Sequence, residues 1–159
     1  MGNPYFSVKF TGLGIDIGKH SIGHGGSFKD MSPGQLKVKI HKFHFQLMAD
    51  LMKKLEAVPE GDGSMLDNTV IVYLSDAAEA HHSRCGQWPF VLIPGKNTGL
   101  QGGRYLDFPH YMQDGHREIG NLYTTLLHAA GEKREYFGVR DAMLKGAARG
   151  DGPLEALLA

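Results

Sequence analysis

Thr69-Val-Ile-Val-Tyr-Leu74 is the stretch that decides the predicted fold class, because it is an uninterrupted run of largely β-branched residues. Such a run is typical of a strand buried on both faces, as in a parallel sheet covered by helices. A second run, Pro89-Phe-Val-Leu-Ile93, stops at Pro94-Gly95 and predicts another strand of the same kind. The two runs together favour a mostly parallel sheet.

Two other segments have the period of amphipathic helices. Ser32-Pro33-Gly34-Gln35 has the form of a helix start, with a capping serine, a proline at the first helical position and a glutamine three residues after the serine. Apolar residues then recur at spacings of three and four and predict one long helix with a core-facing stripe: Leu36, Ile40, Phe43, Leu47, Leu51 and Leu55. A shorter stripe from Ile119 to Leu127, closed by Gly131, predicts a second helix.

Strands that alternate with helices predict an α/β domain with a mostly parallel sheet flanked by helices. Tyr5 to Thr11 alternates and is predicted to be its first strand, followed by a Gly-rich loop from Gly12 to Asp30. The domain is expected to cover residues 1–140, and residues 141–159 are expected to form a weakly structured tail.

The amino-acid composition argues against several classes of function. The 17 Lys and Arg residues equal the 17 Asp and Glu residues, so the composition has no excess of positive charge of the kind that binds nucleic acid or an anionic membrane. No segment approaches the ~20 apolar residues of a membrane helix, and the N-terminal residues lack a signal-peptide pattern. Cys85 is the only cysteine, so an internal disulfide is excluded. These features predict a globular domain that binds neither nucleic acid nor membrane.

Carboxylates and imidazoles gather at two predicted strand ends. Asp16, His20 and His24 lie in the Gly-rich loop, and Asp76, His81 and His82 follow the strand that ends at Leu74. Functional groups of parallel α/β sheets collect beyond the carboxyl ends of strands, so the two groups are expected to meet in one cleft if the first strand is parallel. The expected ligands of a divalent metal, preferably zinc, are Asp16, His20 and one of His81 or His82, with Asp76 as a fourth ligand or as a group that orients a ligand. Two alternatives stay open: Asp76 could be a helix cap or turn former, and the adjacent histidines could both be solvated.

The remaining histidines are expected to be structural. His41, His44 and His128 fall on predicted helices and are interpreted as packing or surface residues, whereas His110 and His116 fall in loops and are the next candidates for a site. The chain has no Gly-x-Ser-x-Gly elbow, which argues against a serine hydrolase.

The segment from Phe43 to Asp76 resembles a known family. Its most specific part is Glu60-Gly-Asp-Gly-Ser-Met-Leu-Asp-Asn-Thr-Val-Ile-Val-Tyr-Leu-Ser-Asp76, and the likeness extends over roughly residues 14–138. The family is the uncharacterised domain-of-unknown-function family fifteen fifty-two, which comprises large exported bacterial proteins. It looks like a distant branch of the alkaline phosphatase and sulfatase superfamily. The resemblance implies a partial alkaline-phosphatase-like topology and an exported or periplasmic location.

The resemblance also implies roles for particular residues. Asp16 and His20 resemble the Asp-x-x-x-His metal pair of the superfamily, Asp76 resembles its strand-end aspartate, and His81 or His82 resembles its later metal histidine. Ala77 stands where the superfamily usually has another metal-binding histidine.

The function expected from the sequence is metal-dependent hydrolysis of phosphate, sulfate or other esters. The alternative is a non-catalytic metal-binding or interaction module, which Ala77 and the lack of an upstream nucleophile favour. The chain resembles the C-terminal part of a longer protein, a natural short relative of the family, or the product of a truncated gene. It is therefore expected to associate with itself or with a missing N-terminal segment.

Overall fold

The computed structural model describes residues 8–75 and 86–159. The described chain divides into two compact units, which are residues 8–57 and residues 58–75 together with 86–159. The helices and strands of the described chain follow in order: α1 (Lys19–Gly23), α2 (Pro33–Glu56), β1 (Pro59–Glu60), β2 (Gly63–Ser64), β3 (Val70–Leu74), β4 (Phe90–Pro94) and α3 (Ile119–Ala129).

The predicted start of α2 is confirmed. Ser32 Oγ accepts a hydrogen bond from the Gln35 backbone N–H at 3.3 Å, and Gln35 Oε1 accepts one from the Ser32 backbone N–H at 2.8 Å. This reciprocal capping box satisfies two backbone groups that the first helical turn leaves without intrahelical partners. Pro33 occupies the first helical position, where its missing N–H costs nothing.

The predicted helix forms, but its apolar stripe is buried only at the N-terminal end. Leu36 and Ile40 are 0% and 4% exposed and form the core of the first unit with Ile15 and Ile22. Farther along the same stripe, Leu47 is 52% exposed. The spacing therefore predicts the helix correctly. Its apolar residues are buried only where the short segment that contains Ile15 and Ile22 covers them.

The prediction of a strand from Tyr5 to Thr11 is wrong for its described residues, which begin at Val8. Thr11–Leu13 is a 3-10 helix, and Phe10 forms an isolated antiparallel bridge with Ile15. Gly14 adopts a φ of 71°, a left-handed conformation that turns the chain back on itself within four residues. The Gly-rich loop predicted from Gly12 to Asp30 also contains the five-residue helix α1.

The predicted parallel sheet is wrong, and with it the alkaline-phosphatase-like topology. β3 and β4 pair antiparallel, with Val70 opposite Pro94 and Leu74 opposite Phe90. The described residues contain only two two-stranded sheets, β1–β2 and β3–β4, both antiparallel. All five residues of β3 are partly buried, so the β-branched run reflects contacts on both faces. Burial of both faces does not specify the direction of the partner strand.

α3 forms at the predicted position and organises the second unit. Its apolar residue Leu122 packs with Leu100, Leu154 and Leu157. Another part of its surface is polar and fully buried: Asn121, Thr124 and Thr125 each have 0% exposure. Each of these side chains is hydrogen-bonded, which is what burial of a polar group requires.

Residues 141–159, for which the sequence predicts a weakly structured tail, contribute Leu144, Ala148, Leu154 and Leu157 to the buried set. Backbone hydrogen bonds tie the segment down, among them Gln101 N–H to Leu157 O at 2.8 Å and Ala159 N–H to Gly99 O at 2.9 Å. In the part of the chain that the structure describes, no helix combines the length and the apolar character needed to span a membrane.

Candidate metal site

The short helix α1 brings two imidazoles together. His20 and His24 are four residues apart, which places them on the same side of one helical turn. Their ring centroids are 4.6 Å apart and the ring planes are inclined by 67°. The His24 N–H closes the helix by donating to His20 O at 3.1 Å. Ile22, on the buried side of the same turn, is 1% exposed and fixes α1 against the core.

Asp16, the predicted carboxylate ligand, lies three residues before α1 and is exposed. Its Oδ1 is 2.9 Å from Lys9 Nζ, and the two side chains are 64% and 50% exposed. An ion pair between groups this exposed contributes only ~0–1 kcal/mol. A divalent cation could therefore displace Lys9 from this carboxylate at little cost.

The other predicted ligands, Asp76, His81 and His82, lie outside the described residues, as does Ala77. Their assignment as ligands stays a prediction. Within residues 8–75 and 86–159, no group of three or more His, Cys, Asp or Glu side chains is arranged to hold a metal ion. Zinc sites use three or four protein ligands, so the His20–His24 pair would be part of a ligand set rather than the whole of it.

The two histidines of α2 lie in aromatic surroundings. The His44 ring is 5.7 Å from the Phe10 ring and 6.0 Å from the Phe43 ring, and His41 lies edge-on to it at 6.3 Å. Burial lowers the pKa of His44, and the nearby charges of His41 and Lys19 lower it further. His44 therefore favours the neutral form, which suits its contacts with phenyl rings.

The remaining described histidines belong to the second unit. His128 Nε2 lies 2.7 Å from Arg134 O and 3.2 Å from Arg134 N, an arrangement that holds the chain after α3. His110 and His116 line a cleft beside β4. The structure thus separates the seven histidines of the described residues into the α1 pair, the α2 pair and three residues of the second unit.

His24 is the residue that sequence reasoning left out of the ligand set. The available signal was its spacing of four from His20, which has meaning only on a helix. Gly18, Gly23 and Gly25 surround these histidines and made the segment resemble a loop. A helix of one turn is too short to show an apolar period, so the pair could not be recognised from the pattern.

Comparisons of this chain with protein-family models, with curated proteins and with solved structures find no match. The family resemblance of the segment from Phe43 to Asp76 stays a prediction.

Proposed function

We propose that the chain is a divalent-metal-binding module, most plausibly for zinc, in which His20 and His24 supply two imidazole ligands. The observation that carries this proposal is the 4.6 Å separation of the two rings on α1. Neutral imidazole nitrogens bind zinc at ~2.0–2.1 Å, and two histidines one helical turn apart can bind the same ion. The predicted ligands Asp16, His81 and His82 are the candidates for the remaining positions.

The geometry supports binding better than it supports turnover. Binding requires only donors in reach of one ion, whereas ester hydrolysis also requires an open coordination position and groups that orient the reacting atoms. The partly exposed imidazoles of α1 provide donors. The ester hydrolysis expected from the sequence stays a prediction, and the non-catalytic alternative is the function proposed here.

The proposal predicts about one tightly bound zinc ion per chain, measured by elemental analysis after purification without chelator. His20→Ala and His24→Ala should each weaken zinc binding by ~100-fold or more, because even the loss of a group that only orients a ligand costs ~10–100-fold.

His41→Ala provides the matched control, because it removes an exposed imidazole from α2 of the same unit. It should leave the metal content unchanged. The proposal fails if the purified chain binds no metal in zinc-containing buffer. It also fails if His41→Ala reduces the affinity as much as His20→Ala does.

The expected self-association also stays a proposal, and the surface of α2 supports it. Beyond Ile40, this helix exposes Phe45, Leu47 and Leu51, of which Leu51 is 44% exposed. Exposed apolar residues that follow one another along a helix are typical of protein–protein contact surfaces. A second copy of the chain could cover these residues with its own α2.

Light scattering should therefore report a species larger than a monomer at micromolar concentration. The double substitution Leu47→Glu and Leu51→Glu should shift it toward monomer, because it places like charges at the contact. Val139→Glu changes an isolated apolar residue that is 97% exposed in the second unit, and it should have no effect. A wild-type chain that is monomeric at micromolar concentration would exclude this association.

A further inference from the structure

The second unit contains a cleft that the proposed metal site does not use. The cleft has a volume of about 530 Å³ and lies among β4, residues 101–110 and the start of α3. Phe90, Leu92, Leu106 and Leu122 provide apolar walls that continue into the core. Small-molecule sites have volumes of ~300–1,000 Å³ and mostly apolar linings with a few fixed polar groups. This cleft has a volume in that range and a mostly apolar lining.

Arg104 is a fixed cation on the lining of the cleft. Its Nη1 donates to Ala156 O at 2.8 Å, and its Nη2 donates to Gln101 Oε1. Both acceptors are neutral, and Arg104 forms no ion pair with any residue of the described ranges. A guanidinium held in place by neutral acceptors retains its full charge and has further N–H donors for an anion.

The lining also holds two acidic residues, Asp107 and Glu118, neither of which forms an ion pair with Arg104 among the described residues. Glu118 accepts a hydrogen bond from the Asp141 N–H at 3.4 Å and interacts with the Tyr136 hydroxyl. Burial and this hydrogen bond to Glu118 raise the pKa of Tyr136 to about 12. Asp107 is exposed, whereas a second arginine, Arg117, also lines the cleft and donates to His116 O at 2.9 Å.

His116 also lines the cleft and is held in place by its neighbours. It is 8% exposed, its ring lies edge-on to Tyr111 at 5.6 Å, and its Nδ1 is 3.0 Å from Pro109 O. A carbonyl oxygen only accepts, so Nδ1 carries the proton. The other ring nitrogen, Nε2, has no hydrogen-bond partner among the described residues. The two contacts hold the His116 ring in one orientation on the lining.

We propose that this cleft binds a small molecule with an apolar chain and a single carboxylate, which the guanidinium of Arg104 receives. The apolar lining accommodates the chain, and the fork of N–H donors matches the two carboxylate oxygens. The proposal concerns only the second unit, so it is independent of metal binding at His20 and His24.

Decanoate below its micelle concentration is the probe, and decanol is the uncharged comparison. Calorimetric titration should show saturable binding of decanoate at a 1:1 ratio and binding of decanol at least ~10-fold weaker, since one charge-assisted contact is typically worth about a factor of ten or more. Arg104→Gln should weaken decanoate binding ~10-fold or more and leave decanol binding unchanged.

Arg134→Gln is the matched control, because it removes the same charge from the same unit at a position paired with Glu132 and outside the cleft. It should bind decanoate like the wild-type chain. Arg104→Lys keeps the charge but loses the fork, and it should bind decanoate with intermediate affinity. This variant also serves as the test if Arg104→Gln fails to fold. The proposal is overturned if decanoate does not saturate, if decanol binds equally well, or if Arg134→Gln weakens binding as much as the Arg104 variants.

Discussion

Gly95→Ala is expected to lower the free energy of unfolding of the second unit by ~3 kcal/mol or more. Gly95 follows β4 directly and is buried, and its N–H donates to Thr69 O at 2.8 Å. A Cβ atom at this position would lie well inside van der Waals contact with Leu66 O and Asp67 O. Both atoms belong to the backbone of the 3-10 helix Met65–Asn68, so the clash cannot be relieved by a change of rotamer.

Chemical denaturation measures this effect, with the fluorescence of Trp88, the only tryptophan, as the probe of the second unit. Gly86→Ala is the control, because a Cβ there would have no atom within 4 Å. It should change the stability by less than ~0.5 kcal/mol. Equal stability of Gly95→Ala and the wild-type chain would show that the 3-10 helix does not pack against the end of β4 as described.

Asn121→Ala is expected to destabilise the second unit by about 3 kcal/mol or more. Its Nδ2 donates to Gly150 O and to Gly152 O, both at 2.8 Å, and its Oδ1 accepts from the Glu118 N–H at 2.7 Å. Removing the amide leaves these three backbone groups without this partner, at a cost of ~1–3 kcal/mol for each group that remains buried. The lost volume adds a cavity term.

The same denaturation experiment tests this expectation, and Asn97→Ala is its control. Asn97 is exposed, and its Nδ2 donates to the Asn68 side chain at 3.0 Å, so its removal should cost less than ~1 kcal/mol. Hydrogen exchange adds a local readout, because Asn121→Ala should speed exchange of the Leu154 N–H, which donates to Thr125 Oγ1 next to the lost contacts. An Asn121→Ala chain as stable as Asn97→Ala would contradict the role of this amide.

The start of α2 was predictable because its determinants are local. Ser32 and Gln35 interact across three residues, and the sequence shows both. The burial of the helix was not predictable in the same way. Leu36 and Leu47 occupy equivalent positions in the apolar period, yet only Leu36 meets the segment that contains Ile15 and Ile22. Spacing identifies a face, whereas burial depends on how much chain is available to cover it.

The direction of the strands and the buried polar contacts could not be predicted from the sequence, for a related reason. The run from Val70 to Leu74 presents apolar side chains on both faces, and a parallel or an antiparallel partner could satisfy that pattern. Asn121 and Thr125 contact residues about thirty positions later in the chain, Gly150, Gly152 and Leu154. Such pairings appear in no local pattern. The apolar stripe of α3 therefore predicted the helix but gave no indication of its polar buried surface.

The most direct test of the proposed function is a zinc titration followed through the ring resonances of the histidines by nuclear magnetic resonance. The His20 and His24 resonances should change together and stop changing near about one equivalent of zinc. Those of His110, His116 and His128, which lie in the second unit, should not change. Saturation at histidines of the second unit with His20 and His24 unaffected would contradict zinc binding at α1, as would the absence of any saturable change.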